Sequence, residues 1–145
     1  MKKIIITVAL LLSMIAVFAS EGNVKSEILS AFKNKFNGAQ EVSWSAGKLY
    51  TEATFLFNGG WFTASYNEKA ELVSVSRNIS STQLPYFIQN NLRKNFGSSW
   101  ITELVEISNQ HGFSYYVTLT SADNEVILES LNGKEWTIYK STQLD

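Results

Sequence analysis

Chemical reactivity in this sequence would have to come from one histidine and from carboxylates. The chain of 145 residues contains no cysteine and a single histidine, His111. His111 lies in the polar segment 109–112, whose composition is typical of a turn. A general base needs a neighbouring acid to orient its ring, and the nearest acids in sequence, Glu106 and Asp123, form no recognised motif with His111. We therefore predict that His111 is a turn residue without a catalytic role.

Other common catalytic and metal-binding patterns are missing from the sequence as well. Zinc sites use cysteine or several closely spaced histidines, and neither is available. The aspartates are Asp123 and Asp145, so the chain has no EF-hand calcium loop. Glutamates such as Glu52 and Glu129 could pair for hydrolysis, but they are explained more simply as the polar side of half-exposed strands. We predict that the protein is not an enzyme and has no catalytic residues, no metal and no cofactor, with a carboxylate-dependent hydrolase as the least favoured alternative.

The first nineteen residues have the pattern of a secretory signal peptide. Lys2 and Lys3 precede an apolar run over residues 4–18, and Val17 and Ala19 supply small residues before a cleavage site. The apolar run is short for a membrane span, although a retained N-terminal anchor is the alternative. We expect cleavage after Ala19, a periplasmic or secreted location, and no stable membrane anchor afterwards.

The charge of the remaining chain argues against polyanionic partners. Without Lys2 and Lys3, ten basic residues face thirteen acidic ones, a net charge of −3. Binding to nucleic acid requires a positive field, so we predict no nucleic-acid partner. An exported chain without cysteine must also be stabilised by its core alone, and the aromatic content of 13% supplies material for that core.

Segment 20–79 is predicted to fold as one helix followed by four strands. Apolar residues at i, i+4 and i+8 predict an amphipathic helix over 24–36, which ends at Asn37-Gly38. Asn58-Gly59-Gly60 is a strong hairpin signal between two alternating runs. The predicted strands are 41–45, 49–57, 61–66 and 71–76. In the second strand we assign Leu49, Ala53, Phe55 and Phe57 to the core side.

Segment 80–145 is predicted to repeat the same order. A Ser or Thr cap before Pro85 begins a helix, and Gly97 ends it. The predicted strands are 101–108, 113–120, 126–131 and 136–140. We therefore predict an α+β fold, a tandem repeat of a helix followed by a four-stranded antiparallel sheet (αβ4-αβ4). Because one unit of this size would be marginal alone, the two would share a core or pair edge to edge. A single sheet with only accidental similarity between its halves is the alternative.

Several short stretches resemble a known family. They are Ala31-Phe32, Phe36-Asn37-Gly38-Ala39, Val42-Ser43-Trp44, Tyr50-Thr51-Glu52-Ala53-Thr54-Phe55, Ala64-Ser65-Tyr66 and Leu84-Pro85. Together they resemble the PepSY-like, β-lactamase-inhibitor-like family of exported bacterial proteins, although Asn37 stands where that family commonly has Pro and Ala70 where it commonly has Gly. The resemblance implies a fold similar to β-lactamase inhibitor protein (BLIP), whose curved sheet offers an open face to a partner. The well-known inhibitors are longer and use disulfides, which this chain lacks.

The side chains opposite the predicted core are the candidate binding residues. Tyr50, Trp61 and Tyr116 alternate with core positions in their strands, so they would form an aromatic and polar sheet face. Aromatic residues of this kind are enriched at protein interfaces. We predict a non-enzymatic module that binds a protein or peptide through this face, with an inhibitor of an extracytoplasmic enzyme (a peptidase or β-lactamase) as the alternative. It is equally consistent with the sequence that these aromatics are covered by another part of the chain.

Overall fold

A computed structural model of the protein describes residues 18–19 and 21–144. The elements in chain order are β1 (Phe18–Ala19), α1 (Ser26–Lys35), β2 (Gln40–Ala46), β3 (Thr51–Phe57), β4 (Gly60–Tyr66), β5 (Leu72–Asn78), α2 (Tyr86–Phe96), β6 (Trp100–Asn109), β7 (Gly112–Thr120), β8 (Asn124–Ser130) and β9 (Thr137–Gln143). Most of the predicted signal peptide, residues 1–17, lies outside the described residues. The described part confirms the predicted α+β class.

The nine strands of the described residues form one antiparallel sheet in which spatial order equals chain order. The hairpin at Asn58-Gly59 fixes the register of β3 and β4, because both residues have positive φ. The two halves of the chain meet where β5 pairs with β6, from Val75 opposite Ser108 to Asn78 opposite Val105. Of the two arrangements left open by the sequence, the halves pair edge to edge.

Helix α1 packs on the first half of the sheet. Its buried residues Ile28 and Phe32 lie one turn apart, while Lys33 and Lys35 face solvent. The helix ends before Gly38, which has a φ of 92° that favours glycine. The first core, on this side of β2–β5, contains the buried residues Val24, Ile28, Phe32, Trp44, Ala53, Phe55, Ala64 and Tyr66.

Helix α2 packs on the same side of the second half. Pro85 occupies the N-cap position, and the turn before it is closed by Gln83, whose side-chain oxygen accepts from the backbone N–H of Ser80. Trp136, which precedes β9, donates its indole N–H to the carbonyl of Ile88 in α2 at 2.8 Å. The second core contains the buried residues Leu84, Ile88, Leu92, Leu104, Tyr115, Val117, Leu119 and Leu128. Neither helix within residues 21–144 is long and apolar enough to cross a membrane.

Leu49, which is predicted to face the core, is exposed instead, and the same is true of Phe113, whose place in the alternation of β7 matches the buried Tyr115 and Val117. Leu49 is 69% exposed because it precedes β3, which begins only at Thr51. Phe113 is 56% exposed because it lies at the hairpin end of β7, beyond the reach of α2. Both side chains are in phase with the core positions of their strands, but they lie at strand ends that the helices do not cover.

Candidate functional site

The sheet has two chemically different faces. The helix face carries α1, α2 and the two cores. Because side chains alternate along a strand, the residues between core positions point to the opposite side, which we call the open face. Cross-strand partners fix its members at the junction of the halves, where Ser76 lies opposite Ile107 and Val105 lies opposite both Asn78 and Tyr116.

A third apolar group lies on the open face. Ile107, Tyr116 and Ile127 are buried there and Val105 packs against them. No helix residue belongs to this group, which we call the open-face cluster. Its members come from β6, β7 and β8, so it occupies the second half of the sheet. Strands β6 and β7 therefore bury apolar side chains on both faces.

A groove of about 470 Å³ crosses the open face where the two halves meet. Val105, Ile107 and Tyr116 of the open-face cluster line its second-half side. Its first-half side is lined mainly by Thr54, Trp61, Thr63 and Ser76, with Asn78 at the junction, and Glu103 of β6 lies across the junction from it. An apolar floor with a few polar groups is the usual lining of a ligand groove. The largest exposed side chain beside this floor is Trp61, which is 52% exposed.

A second groove of about 690 Å³ continues along the second half of the open face. Asn78 and Glu103 line both grooves, so the two adjoin. Further along, Glu125, Ile127 and Lys140 contribute to the second groove. The combined surface thus runs from β3 to β9.

The three aromatic residues predicted as binding residues occupy different places. Trp61 and Tyr116 line the first groove, on either side of it. Tyr50 is half-buried just before β3 and does not line either groove. Since Trp61 lies opposite Leu56 near the other end of β3, about six residues of strand, or roughly 20 Å, separate Tyr50 from Trp61.

Tyr116 contributes to the groove floor as a buried residue. It is 6% exposed, because Tyr139 of β9 packs edge-on against its ring with centroids 5.8 Å apart. Its hydroxyl donates to Oε2 of Glu129 at 3.1 Å. Burial and the adjacent carboxylate both raise the pKa of Tyr116. Of the two alternatives that the sequence left open for Tyr116, cover by another part of the chain applies to much of its ring, because Tyr139 packs against it.

The first half of the open face is polar. The hydroxyls of Thr54 and Thr63 lie 3.1 Å apart across β3 and β4. One step along the same strands, Ser65 donates to Oε1 of Glu52 at 3.3 Å. Burial raises the pKa of the Glu52 carboxyl, and the bond from Ser65 partly offsets this. This part of the face is a network of short polar side chains beside the large aromatic ring of Trp61.

The arrangement shows no catalytic constellation in the part of the chain that is described. His111 lies in the exposed turn between β6 and β7, where Nε2 is 3.2 Å from the side-chain nitrogen of Gln110. No carboxylate bonds to His111 among residues 21–144, and those residues include no group of three or more His, Asp or Glu side chains that could hold a metal ion. What the open face offers is shape, aromatic surface and charge.

The sequence reasoning missed the contribution of β5 and β6 to the groove. Ser76, Asn78, Val105 and Ile107 form the junction between the halves, and only the pairing of β5 with β6 brings them together. One signal was present in the sequence. Leu104 and Val105 are consecutive apolar residues of an otherwise alternating strand, which indicates that both faces of that strand are covered.

Comparison with solved structures identifies the fold. A BLIP-like protein from Bacteroides fragilis superposes with a TM-score of 0.70 and 15% identity, over 83% of this chain and 86% of its own. A DUF2874 family protein from Bacteroides uniformis gives 0.73 and 16%, over 83% and 89%. A protein from Bacteroides eggerthii described as "putative periplasmic" gives 0.72 and 14%, over 83% and 88%.

No family model matches the chain, and no curated protein matches it. Membership of the PepSY-like family therefore stays a prediction. At 15–16% identity these structural matches establish the fold alone, and that fold agrees with the expected resemblance to BLIP. The chain has the BLIP-like fold.

Proposed function

We propose that this protein is an exported, non-enzymatic binding module that engages a protein or peptide through the open face. The observation that carries the proposal is the first groove, where the half-exposed Trp61 stands beside an apolar floor. Trp100 is more exposed, at 78%, but it lines neither groove. A tryptophan beside an apolar groove is typical of a binding hot spot.

The fold supports the same proposal. The order of one helix and four strands occurs twice in the chain, and we interpret it as a tandem αβ4 repeat whose two sheets have become one. In that interpretation the helices stabilise the scaffold from one side and the opposite side is left free for a partner. The periplasmic description of one structural neighbour agrees with the predicted signal peptide.

Capture of a partner from the native envelope fraction tests this function. Trp61→Ala should reduce the affinity for the captured protein about 30-fold, the loss expected for a hot-spot tryptophan. Phe87→Ala is the matched control, because Phe87 is 73% exposed on α2 and lies on the other side of the sheet. Tyr50→Ala reports whether the partner reaches past the groove. Equal affinity of the wild type and Trp61→Ala for the same partner would show that another surface binds it.

Inhibition of an extracytoplasmic enzyme is the second candidate function. This function is favoured by the BLIP-like fold, which the protein shares with the structural neighbour from Bacteroides fragilis. Titration against a panel of β-lactamases and extracytoplasmic peptidases addresses it directly. Inhibition at micromolar concentration that Trp61→Ala removes would establish this function, and no inhibition across the panel would contradict it.

A further inference from the structure

The two sides of the molecule carry opposite charge. On the open face, Glu52, Glu103, Glu125 and Glu129 outnumber one basic residue, Lys140. On the helix side, the helices and the α1 N-cap carry one acidic residue, Glu27, against the basic residues Lys25, Lys33, Lys35, Arg93 and Lys94. On the strands beneath them, Arg77 and Glu106 balance each other. The overall net charge of −1 hides this separation. A field with a fixed direction steers a charged partner toward one face.

The acidic residues of the grooves are available to a partner. Glu103 lines both grooves and Glu125 lines the second. Arg77 also contributes to the lining of the first groove, but its Nε lies 2.8 Å from Oε1 of Glu106, so its charge is balanced within the protein. This ion pair, found among residues 21–144, involves neither Glu103 nor Glu125. Glu103 lies two residues before Val105 on the same face of β6, so a carboxylate neighbours the apolar floor.

We propose that the occupant of the open face is a cationic polypeptide segment, in which Lys or Arg side chains flank an apolar residue. The apolar residue would bind on the floor of Val105, Ile107 and Tyr116. Its basic neighbours would meet Glu103 and Glu125, and a guanidinium or ammonium could also stack on Trp61 through a cation–π contact. This inference rests on the proposed binding function and specifies the partner class for the same face.

Charge complementarity separates this occupant from other polymers. Nucleic acids and anionic membranes would be repelled by four carboxylates, because their binding requires a positive surface. An acidic peptide would meet the same repulsion. A basic segment is instead attracted over about a Debye length, roughly 8 Å at physiological ionic strength.

A selection from a random dodecapeptide phage library tests the proposal with the full protein. The library is selected in parallel on the wild type and on Trp61→Ala at low salt, so that peptides specific to the open face are those lost with the variant. We expect those peptides to be enriched in Lys and Arg beside aromatic or aliphatic residues. Synthetic copies should bind more weakly as salt rises.

Substitution of single carboxylates then locates the charge effect. Glu103→Gln and Glu125→Gln should each lower the affinity for such a peptide about two- to fivefold, the range for exposed ion pairs. Glu27→Gln removes the same charge from the helix side and should change nothing. Trp61-dependent peptides of neutral or acidic composition would overturn the proposed partner class and leave the binding face intact. Failure to recover any Trp61-dependent peptide would contradict both proposals.

Discussion

The two halves of the chain have the same element order but place their apolar side chains differently. The first core is aromatic, with the ring of Phe32 within 5.4 Å of the rings of Phe36, Trp44 and Phe55. The second core is mainly Leu, Ile and Val. The second half also has apolar residues on the open face, where the first half has hydroxyl groups. The groove forms where these two kinds of surface meet.

This difference shows that a shared order of elements does not determine a shared surface. In both halves the helix face of the sheet packs against the apolar side of an amphipathic helix. The open face has no such constraint. A binding surface can therefore differ between the halves without disturbing the cores.

The junction between the halves is polar on the helix face. Arg77 of β5 donates from Nε to Oε1 of Glu106 in β6 at 2.8 Å. Tyr115 lies opposite Glu106, and burial together with this carboxylate raises its pKa while Arg77 acts in the opposite direction. On the helix face, this ion pair lies between the two apolar cores, while the backbones of β5 and β6 connect the two halves of the sheet.

The largest effect that tests the comparison is truncation of each core. Phe55 is fully buried and its ring lies 4.9 Å from Phe32 and 4.7 Å from Phe36. Phe55→Ala should lower the free energy of unfolding by about 3–5 kcal/mol, and Leu128→Ala in the second core by about 2–4 kcal/mol. The difference arises from the lost aromatic pairs, each worth about 0.5–1.5 kcal/mol. Guanidinium denaturation followed by circular dichroism measures both.

The exposed Phe87 again provides the control for these core variants. Phe87→Ala should change the free energy of unfolding by less than about 0.5 kcal/mol. A loss for Leu128→Ala that equals or exceeds the loss for Phe55→Ala would show that the aromatic network adds no stability beyond burial.

The tyrosines of the two halves allow a second test, of intermediate size. Tyr66 in the first core is buried and its hydroxyl has no hydrogen-bond partner among the described residues. Burial raises its pKa to about 12. The folded state therefore holds this proton between about pH 10 and pH 12, where the unfolded state loses it, and stability falls as pH rises through that window by up to about 1.4 kcal/mol per pH unit. Stability below pH 10 is unaffected by this group.

Phenylalanine substitutions separate Tyr66 from Tyr116. Tyr66→Phe should make the alkaline loss less steep. It should also raise stability at pH 7 by about 1 kcal/mol, because it removes a buried hydroxyl that has no hydrogen-bond partner among the described residues. Tyr116→Phe should cost about 1 kcal/mol at pH 7, since its hydroxyl bonds to Glu129. Denaturation curves at pH 7, 9, 10 and 11 measure both effects. An unchanged alkaline slope in Tyr66→Phe would contradict the assigned pKa.

Periodicity and turn chemistry predicted most of the elements. The predicted helix over 24–36 corresponds to Ser26–Lys35, and the predicted strand over 61–66 corresponds to Gly60–Tyr66. These assignments succeed because they depend on neighbours in sequence. Trp136 was assigned to the last strand but lies before β9 and bonds to α2, a contact 48 residues away in the chain.

The candidate site was predictable only in part, because much of it depends on contacts between residues that are distant in sequence. Alternation in β4 placed Trp61 opposite the core side. The pairing of β5 with β6 and the cover of Tyr116 by Tyr139 are long-range facts that no local pattern encodes. A groove at the junction of two halves is therefore the feature that sequence patterns reveal least.

The smallest expected effect concerns the turns, and it is a gain of stability. Ala70 in the turn before β5 has a φ of 60°, a conformation that is strained for any residue with a Cβ, whereas Gly133 holds a similar φ of 67° in the turn after β8. Ala70→Gly should raise the free energy of unfolding by about 0.5–1 kcal/mol, because it relieves the backbone strain. Two smaller effects act in the opposite direction: the methyl contact is lost, and the unfolded chain gains conformational freedom. Gly133→Ala should have the opposite sign and lower stability by about 1 kcal/mol. Thermal and denaturant unfolding of the two variants measures this, and a loss of stability in Ala70→Gly would show that packing of the Ala70 methyl against the first core outweighs the backbone strain.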